Sequence, residues 1–64
     1  MQQLNQFIGH NYFTVYDQLQ TVAQSLGLFT SLIEPNLDFN IDQDPIRLKV
    51  YVNESNVIIG FKQE

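Results

Sequence analysis

Cysteine is absent from this 64-residue chain, and with it go disulfide staples, thiol nucleophiles and thiolate metal ligands. Basic residues are scarce: three Lys or Arg stand against seven Asp or Glu, for a net charge of −4. Phosphate backbones and anionic lipid surfaces are bound by clustered positive charge, so neither nucleic acid nor membrane is expected as a partner. No apolar run approaches the length of a bilayer span, and Met1-Gln2-Gln3-Leu4-Asn5-Gln6 carries no positive charge ahead of an apolar stretch. A membrane helix and a secretion signal are therefore not expected, and the expected location is cytoplasmic. With three glycines, one histidine and no pairing of a nucleophile with a base, a phosphate-cradling loop, a redox pair and a catalytic constellation are all missing. The chain is expected to be no enzyme and to use no cofactor and no metal.

Length sets the next bound. Residues 1–64 make a single domain, and a chain of this size buries only about 60% of the surface it exposes when unfolded. Such domains are usually supported by disulfides, metals or self-association. The first is excluded here, so a homodimer is the expected state.

What the chain does have is a pattern. Residues 37 to 61 alternate apolar and polar positions: Leu37, Phe39, Ile41, then Ile46, Leu48, Val50, Val52, then Val57, Ile59 and Phe61. Side chains two apart in an extended strand share a face, so these residues predict one apolar face of a three-stranded sheet. Asp42-Gln43-Asp44-Pro45 and Asn53-Glu54-Ser55-Asn56 supply the turn chemistry between strands. The pairing that keeps the apolar face in register sets Val52 beside Val57, Val50 beside Ile59 and Leu48 beside Phe61. The opposite face then carries Asp38, Asn40 and Asp42 against Arg47 and Lys49, cross-strand pairs of about 0.2 to 1 kcal/mol each. Residues 37–41 and 57–61 become the two edges.

The first half supplies the cover. Ile8, Tyr12, Val15, Leu19, Val22 and Leu26 recur at helical spacing, which predicts a helix over residues 12–26, with Asn11 as N-cap, or a weaker alternative start in Thr14-Val15-Tyr16-Asp17 with Asp17 near the positive helix end, and Gly27 as the stop. Leu4, Phe7 and Ile8 form a short helical turn or anchor the N-terminus, and residues 28–34 can add one more turn before Pro35 forbids helix. A continuous coiled coil is disfavoured, because Gly9 and Gly27 interrupt the spacing and charge pairs are few. The fold class read from the sequence is α+β, an N-terminal amphipathic helix packed on a three-stranded antiparallel β-meander.

Three constellations invite a chemical reading, and each has a plainer one. Asp38, Asn40, Asp42 and Asp44 imitate the opening of a calcium-binding loop, yet Gln43 stands where the glycine is needed and Lys49 where the bidentate carboxylate is needed; the polar face of a strand entering a turn explains them. His10 has no second histidine or cysteine near it and reads as a surface residue before the helix. Asn53-Glu54-Ser55 matches a glycosylation acceptor, but reads as a turn in a chain without a secretion signal.

Surface for partners is what remains. Tyr51 and Ile58 are expected to face each other on the outer side of the second hairpin, with Gly60 beside them leaving close access to backbone. Both edge strands present backbone groups that an extended segment of another chain can pair with, and Lys62 alone guards the last one. Phe13, Tyr16 and Leu32 lie off the helical stripe and serve as boundary core or as a second contact face.

Tyr16-Asp17-Gln18-Leu19-Gln20-Thr21-Val22-Ala23-Gln24-Ser25-Leu26-Gly27-Leu28, followed by Leu37-Asp38-Phe39-Asn40-Ile41-Asp42 and Leu48-Lys49-Val50-Tyr51-Val52-Asn53-Glu54-Ser55, resembles the N-terminal half of class I type III secretion chaperones. These are small acidic dimers whose first helix ends in a Leu-Gly-Leu type signal and leads into an antiparallel sheet. The resemblance spans residues 15 to 61 and rests on an amphipathic helix, a glycine stop and alternating strands. It implies a partner segment held in extended form along a sheet edge, with Val57, Ile58, Ile59, Gly60 and Phe61 as that edge and Leu19 or Val22 adding contacts only where the helix is open. Those chaperones are longer and dimerise through a later helix and strands with no counterpart here.

Two functions follow. The chain is expected to be an acidic, non-catalytic protein-binding module that holds or inhibits a partner protein, as a chaperone, adaptor or phage-style inhibitor does, through Tyr51, Val57, Ile58, Ile59, Gly60 and Phe61. The alternative is a structural or self-assembling subunit whose main partner is itself. The size of the purified particle separates them.

Overall fold

The computed structural model describes residues 2–36 and 43–64. Within them the chain is α+β: α1 (Gln2–Asn5), α2 (Tyr16–Ser25), β1 (Phe29–Ile33), β2 (Arg47–Val52) and β3 (Ile58–Gln63), the strands forming one sheet of order β1-β2-β3. β2 and β3 make the antiparallel hairpin that the alternation predicts, but β1 runs parallel to β2. The sheet is therefore mixed rather than an antiparallel meander. The strand expected over residues 37–41 lies outside the described residues.

The helix is shorter than its apolar stripe. Residues 11–15 form turns because their backbone is already engaged: Asn11 bridges Val57 in antiparallel fashion, and the Tyr12 N–H donates to the Asn56 carbonyl at 2.8 Å. Asn11 does cap, but it caps this turn, its Oδ1 accepting from the N–H groups of Phe13 at 2.9 Å and Thr14 at 3.3 Å. Helix proper begins at Tyr16, behind a Val15 that makes no side-chain cap. The amphipathic helix thus follows α1 and a run of turns rather than opening the chain.

Gly27 ends α2 as expected. It sits at φ +74°, with its own N–H on the Gln24 carbonyl at 3.0 Å and the Leu28 N–H on the Ala23 carbonyl at 2.9 Å. These two bonds define a Schellman cap, and Leu28 and Ala23, both buried, supply the apolar contact that accompanies it. The left-handed step turns the chain out of the helix axis, and the residues beyond it, Phe29, Thr30 and Ile33 among them, favour an extended backbone. This is why residues 28–34 hold β1 (Phe29–Ile33) and not a further helical turn.

One core joins the layers. Leu4, Phe7, Tyr12, Val15, Leu19 and Ala23 from the helical layer meet Leu28, just ahead of β1, and Leu48, Val50, Val52 and Ile58 from the sheet, with Val22, Leu26, Leu32 and Phe61 packed around them. A polar link crosses the same boundary: the Gln20 side-chain amide donates to Thr30 Oγ1, and Thr30 also bonds the Tyr12 side chain. Burial and the neighbouring Tyr16 hold the Tyr12 phenol above its ordinary value of 10.0, the Thr30 bond opposing them. Ile8, which fits the helical stripe, is exposed because it falls between α1 and the left-handed Gly9 at φ +90°.

The second hairpin corrects the expected register. Its pairs are Leu48 with Gln63, Val50 with Phe61, Tyr51 with Gly60 and Val52 with Ile58, the register slipping between Tyr51 and Val52. Ile59 is the extra residue of this bulge. Strict alternation places Ile59 inward and Ile58 outward; the bulge exchanges them, leaving Ile58 fully buried and Ile59 59% exposed. Ile46 is exposed as well, one position ahead of β2, whereas Leu48, Val50 and Val52 face the core as predicted. Lys49, between Leu48 and Val50, is itself only 4% exposed.

Candidate functional site

The pairing sorts the outer face of the sheet into rows. Phe29 lies beside Arg47, Ser31 beside Lys49 and Lys62, and Ile33 beside Tyr51 and Gly60. All three basic residues of the chain, Arg47, Lys49 and Lys62, therefore share this face. The Arg47 guanidinium stands 6.0 Å from the centre of the Phe29 ring. Lys49 and Lys62 are directly opposite each other, a like-charge pair that the Glu64 carboxylate bridges at 3.4 and 3.3 Å.

The other end of the face is apolar and acidic. Beside the row of Ile33, Tyr51 and Gly60, the bulged Ile59 turns outward, and the chain leaving β1 through Glu34, Pro35 and Asn36 meets the turn at Asn53 and Glu54 across an open recess of about 370 Å³. The turn is held rigidly. Asn53 Oδ1 accepts from the N–H groups of Ser55 at 2.9 Å and Val57 at 3.0 Å, the Asn56 N–H returns to the Asn53 carbonyl at 2.9 Å, and Asn56 takes φ 62°. This is a type I turn closed by a left-handed asparagine, which asparagine tolerates better than other side-chain-bearing residues. The Asn53 side-chain oxygen is occupied in it. Gly60 leaves open space at the recess, since a Cβ there meets nothing within 4 Å.

Of the six residues read from the sequence as partner-binding, Tyr51 and Ile59 line this recess and Gly60 pairs with Tyr51 beside it. Ile58 does not belong. It is fully buried under the helical layer, so the expected outer pair of Tyr51 and Ile58 is replaced by Tyr51 and Gly60. Phe61 is half-buried and packs against the core, and Val57 is half-buried and bridged to Asn11. The edge they were expected to offer is partly closed: the Gly9 N–H donates to the Ile58 carbonyl at 2.8 Å and the Ile58 N–H to the His10 carbonyl at 2.9 Å. That use of backbone also accounts for His10, whose side chain is exposed. Leu19 is fully buried. Sequence reasoning missed Ile33, Glu34 and Pro35, because it allowed residues 28–34 a further helical turn that Pro35 would end; the strand-favouring Phe29, Thr30 and Ile33 were the available signal.

A second recess, bounded by Gln43, Asp44, Pro45, Gln63 and Glu64, is polar. Its groups are spent on one another, the Asp44 N–H on the Glu64 carbonyl at 2.9 Å and the Gln63 side-chain amide on the Pro45 carbonyl at 2.6 Å. Among the described residues no three of His, Cys, Asp and Glu come together as metal ligands, and no helix is long and apolar enough to cross a membrane. Asp38, Asn40 and Asp42 lie outside the described residues. No family model, curated protein or solved structure matches the chain.

Proposed function

We propose that this chain is a small acidic protein-binding module without catalytic activity, which holds or inhibits a partner protein through the outer face of its sheet. The observation that carries this reading is Ile59: a large apolar side chain that an uninterrupted alternation would have buried is instead turned outward by a bulge, beside Tyr51 and Ile33, at a recess with a rigid turn for its wall. Bulges re-aim side chains, and an exposed apolar concavity on a domain this small is costly to keep for stability alone. The partner segment lies in extended form along the recess rather than along the β3 edge that the chaperone resemblance implies, and the module works in the cytoplasm as a monomer or homodimer.

The test is capture of a partner from extract of the source cells by the wild type and by Ile59→Asp, with thermal melts of both. Ile59 is exposed, so the variant is expected to melt like the wild type and to lose the partner. Equal capture by the two proteins rejects the reading.

A second reading, the self-assembling subunit, draws on a different patch. Phe13 is 62% exposed and Tyr16 44% exposed, both in edge-to-face contact with the buried Tyr12 in the helical layer. Two apolar patches on opposite layers suit head-to-tail association of copies, which sedimentation would show as particles that grow with concentration.

A further inference from the structure

The recess that the proposed function relies on is also where this chain leaves negative charge unneutralised, and this points to the chemistry of its occupant. Glu34, at the end of β1, and Glu54, in the turn before β3, both line it and both are exposed. Among the described residues neither carboxylate has an ion-pair partner and no basic side chain lines the recess, whereas Glu64 at the far end of the same face is held by Lys49 and Lys62. The face is thus divided, with its cations at the Phe29 end and its uncompensated carboxylates at the apolar end. A volume of about 370 Å³ lies at the small end of the range for binding sites, roughly 300 to 1,000 Å³, and admits one or two side chains. The floor of Ile33, Tyr51 and Ile59 selects an apolar group, and the two glutamates select a cation beside it. A net charge of −4 draws basic ligands toward the chain from a distance.

We infer that the recess takes a lysine or arginine side chain presented next to an aromatic or branched apolar residue on a segment of another protein. This rests on the reading of the chain as a protein-binding module and adds the kind of partner.

The experiment titrates the ¹⁵N-labelled full chain with two synthetic peptides of equal length, Lys-Phe-Arg-Trp-Lys and Glu-Phe-Gln-Trp-Glu, and follows amide shifts. The basic peptide is expected to move the amides of Ile33, Glu34, Tyr51, Glu54 and Gly60, more weakly as salt is added, while the acidic one leaves them in place. The double variant Glu34→Gln, Glu54→Gln, which alters only exposed groups, should weaken the basic peptide about fivefold, as two solvent-exposed charge contacts allow. Equal binding of the acidic peptide, shifts elsewhere on the surface, or an unchanged affinity in the double variant overturns the inference. So do shifts at the recess on concentrating the protein alone, which would make a second copy the occupant. Loss of partner capture in Ile59→Asp together with full capture in the double variant rejects this inference and leaves the binding-module reading standing; capture unaffected by either rejects both.

Discussion

Adjacent isoleucines make the most discriminating test of the fold, because Ile58 and Ile59 are chemically identical and the bulge alone decides which is core. Ile58 is fully buried and Ile59 is 59% exposed. Ile→Ala removes three carbons, about 2.4 kcal/mol of transfer at ~0.8 per buried methylene, and the cavity left in the core raises the cost at Ile58 to about 2–5 kcal/mol. At Ile59 about two fifths of the side chain is buried and no closed cavity forms, so the same change costs about 1 kcal/mol or less. A single core in a domain of this size supplies only about 3–5 kcal/mol in all, and Ile58→Ala is expected to stand at the limit of folding. Ile→Val at each position keeps the comparison measurable: about 0.5–1.5 kcal/mol at Ile58, which is roughly 2–12 °C in melting temperature for a domain this small, and a few tenths of a kcal/mol at Ile59. Urea unfolding followed by circular dichroism, at constant m, reads both. A larger loss from Ile59→Val than from Ile58→Val would restore the uninterrupted alternation and remove the outward Ile59 on which the proposed site stands.

Other outcomes follow from single features. Gly27→Ala should cost about 1–2 kcal/mol, all of it from the left-handed backbone, since a Cβ there meets nothing within 4 Å; substitution by D-alanine in a synthetic chain should stabilise instead, and equal melting of the two would refute the cap. Asn53→Ala removes the acceptor for the Ser55 and Val57 amides and should cost about 1–2 kcal/mol in a denaturation curve. Tyr12 favours its neutral phenol in the folded state, so its contribution is complete below pH 10 and is lost as pH rises through the higher folded value. Tyr12→Phe should therefore flatten the alkaline fall in stability, and an unchanged alkaline limb would contradict that assignment.

Much of this fold is legible where one physical rule acts alone. The glycine stop at Gly27, the turn at Asn53 and the inward set of Leu48, Val50 and Val52 each follow from local chemistry. Reading failed where a distant contact overrode a local pattern. Residues 11–15 have a helical stripe but are claimed by pairing with Asn56 and Val57, a contact across the whole chain that no spacing reveals. The β1 stretch looked helical because its apolar residues continue the stripe beyond Gly27, and nothing local announces a parallel neighbour. Period-two reasoning also has no term for an inserted residue, so one bulge moved Ile58 out of the candidate site and Ile59 onto its surface. The recess depends on both of these non-local facts, and only Tyr51, Ile59 and Gly60 could be named in advance.

The pairing of Gly9, His10 and Tyr12 with Asn56 and Ile58 sets an order of events during synthesis. Leu4 and Phe7 are translated well before the strand that fixes their position, and long-range contacts of this kind are slow to close. Until residue 58 is free, the early segment must wait with its greasy side chains in water. Nascent chains halted short of that point should bind general chaperones and be cut readily by protease, and release of a few more residues should bring resistance in a single step.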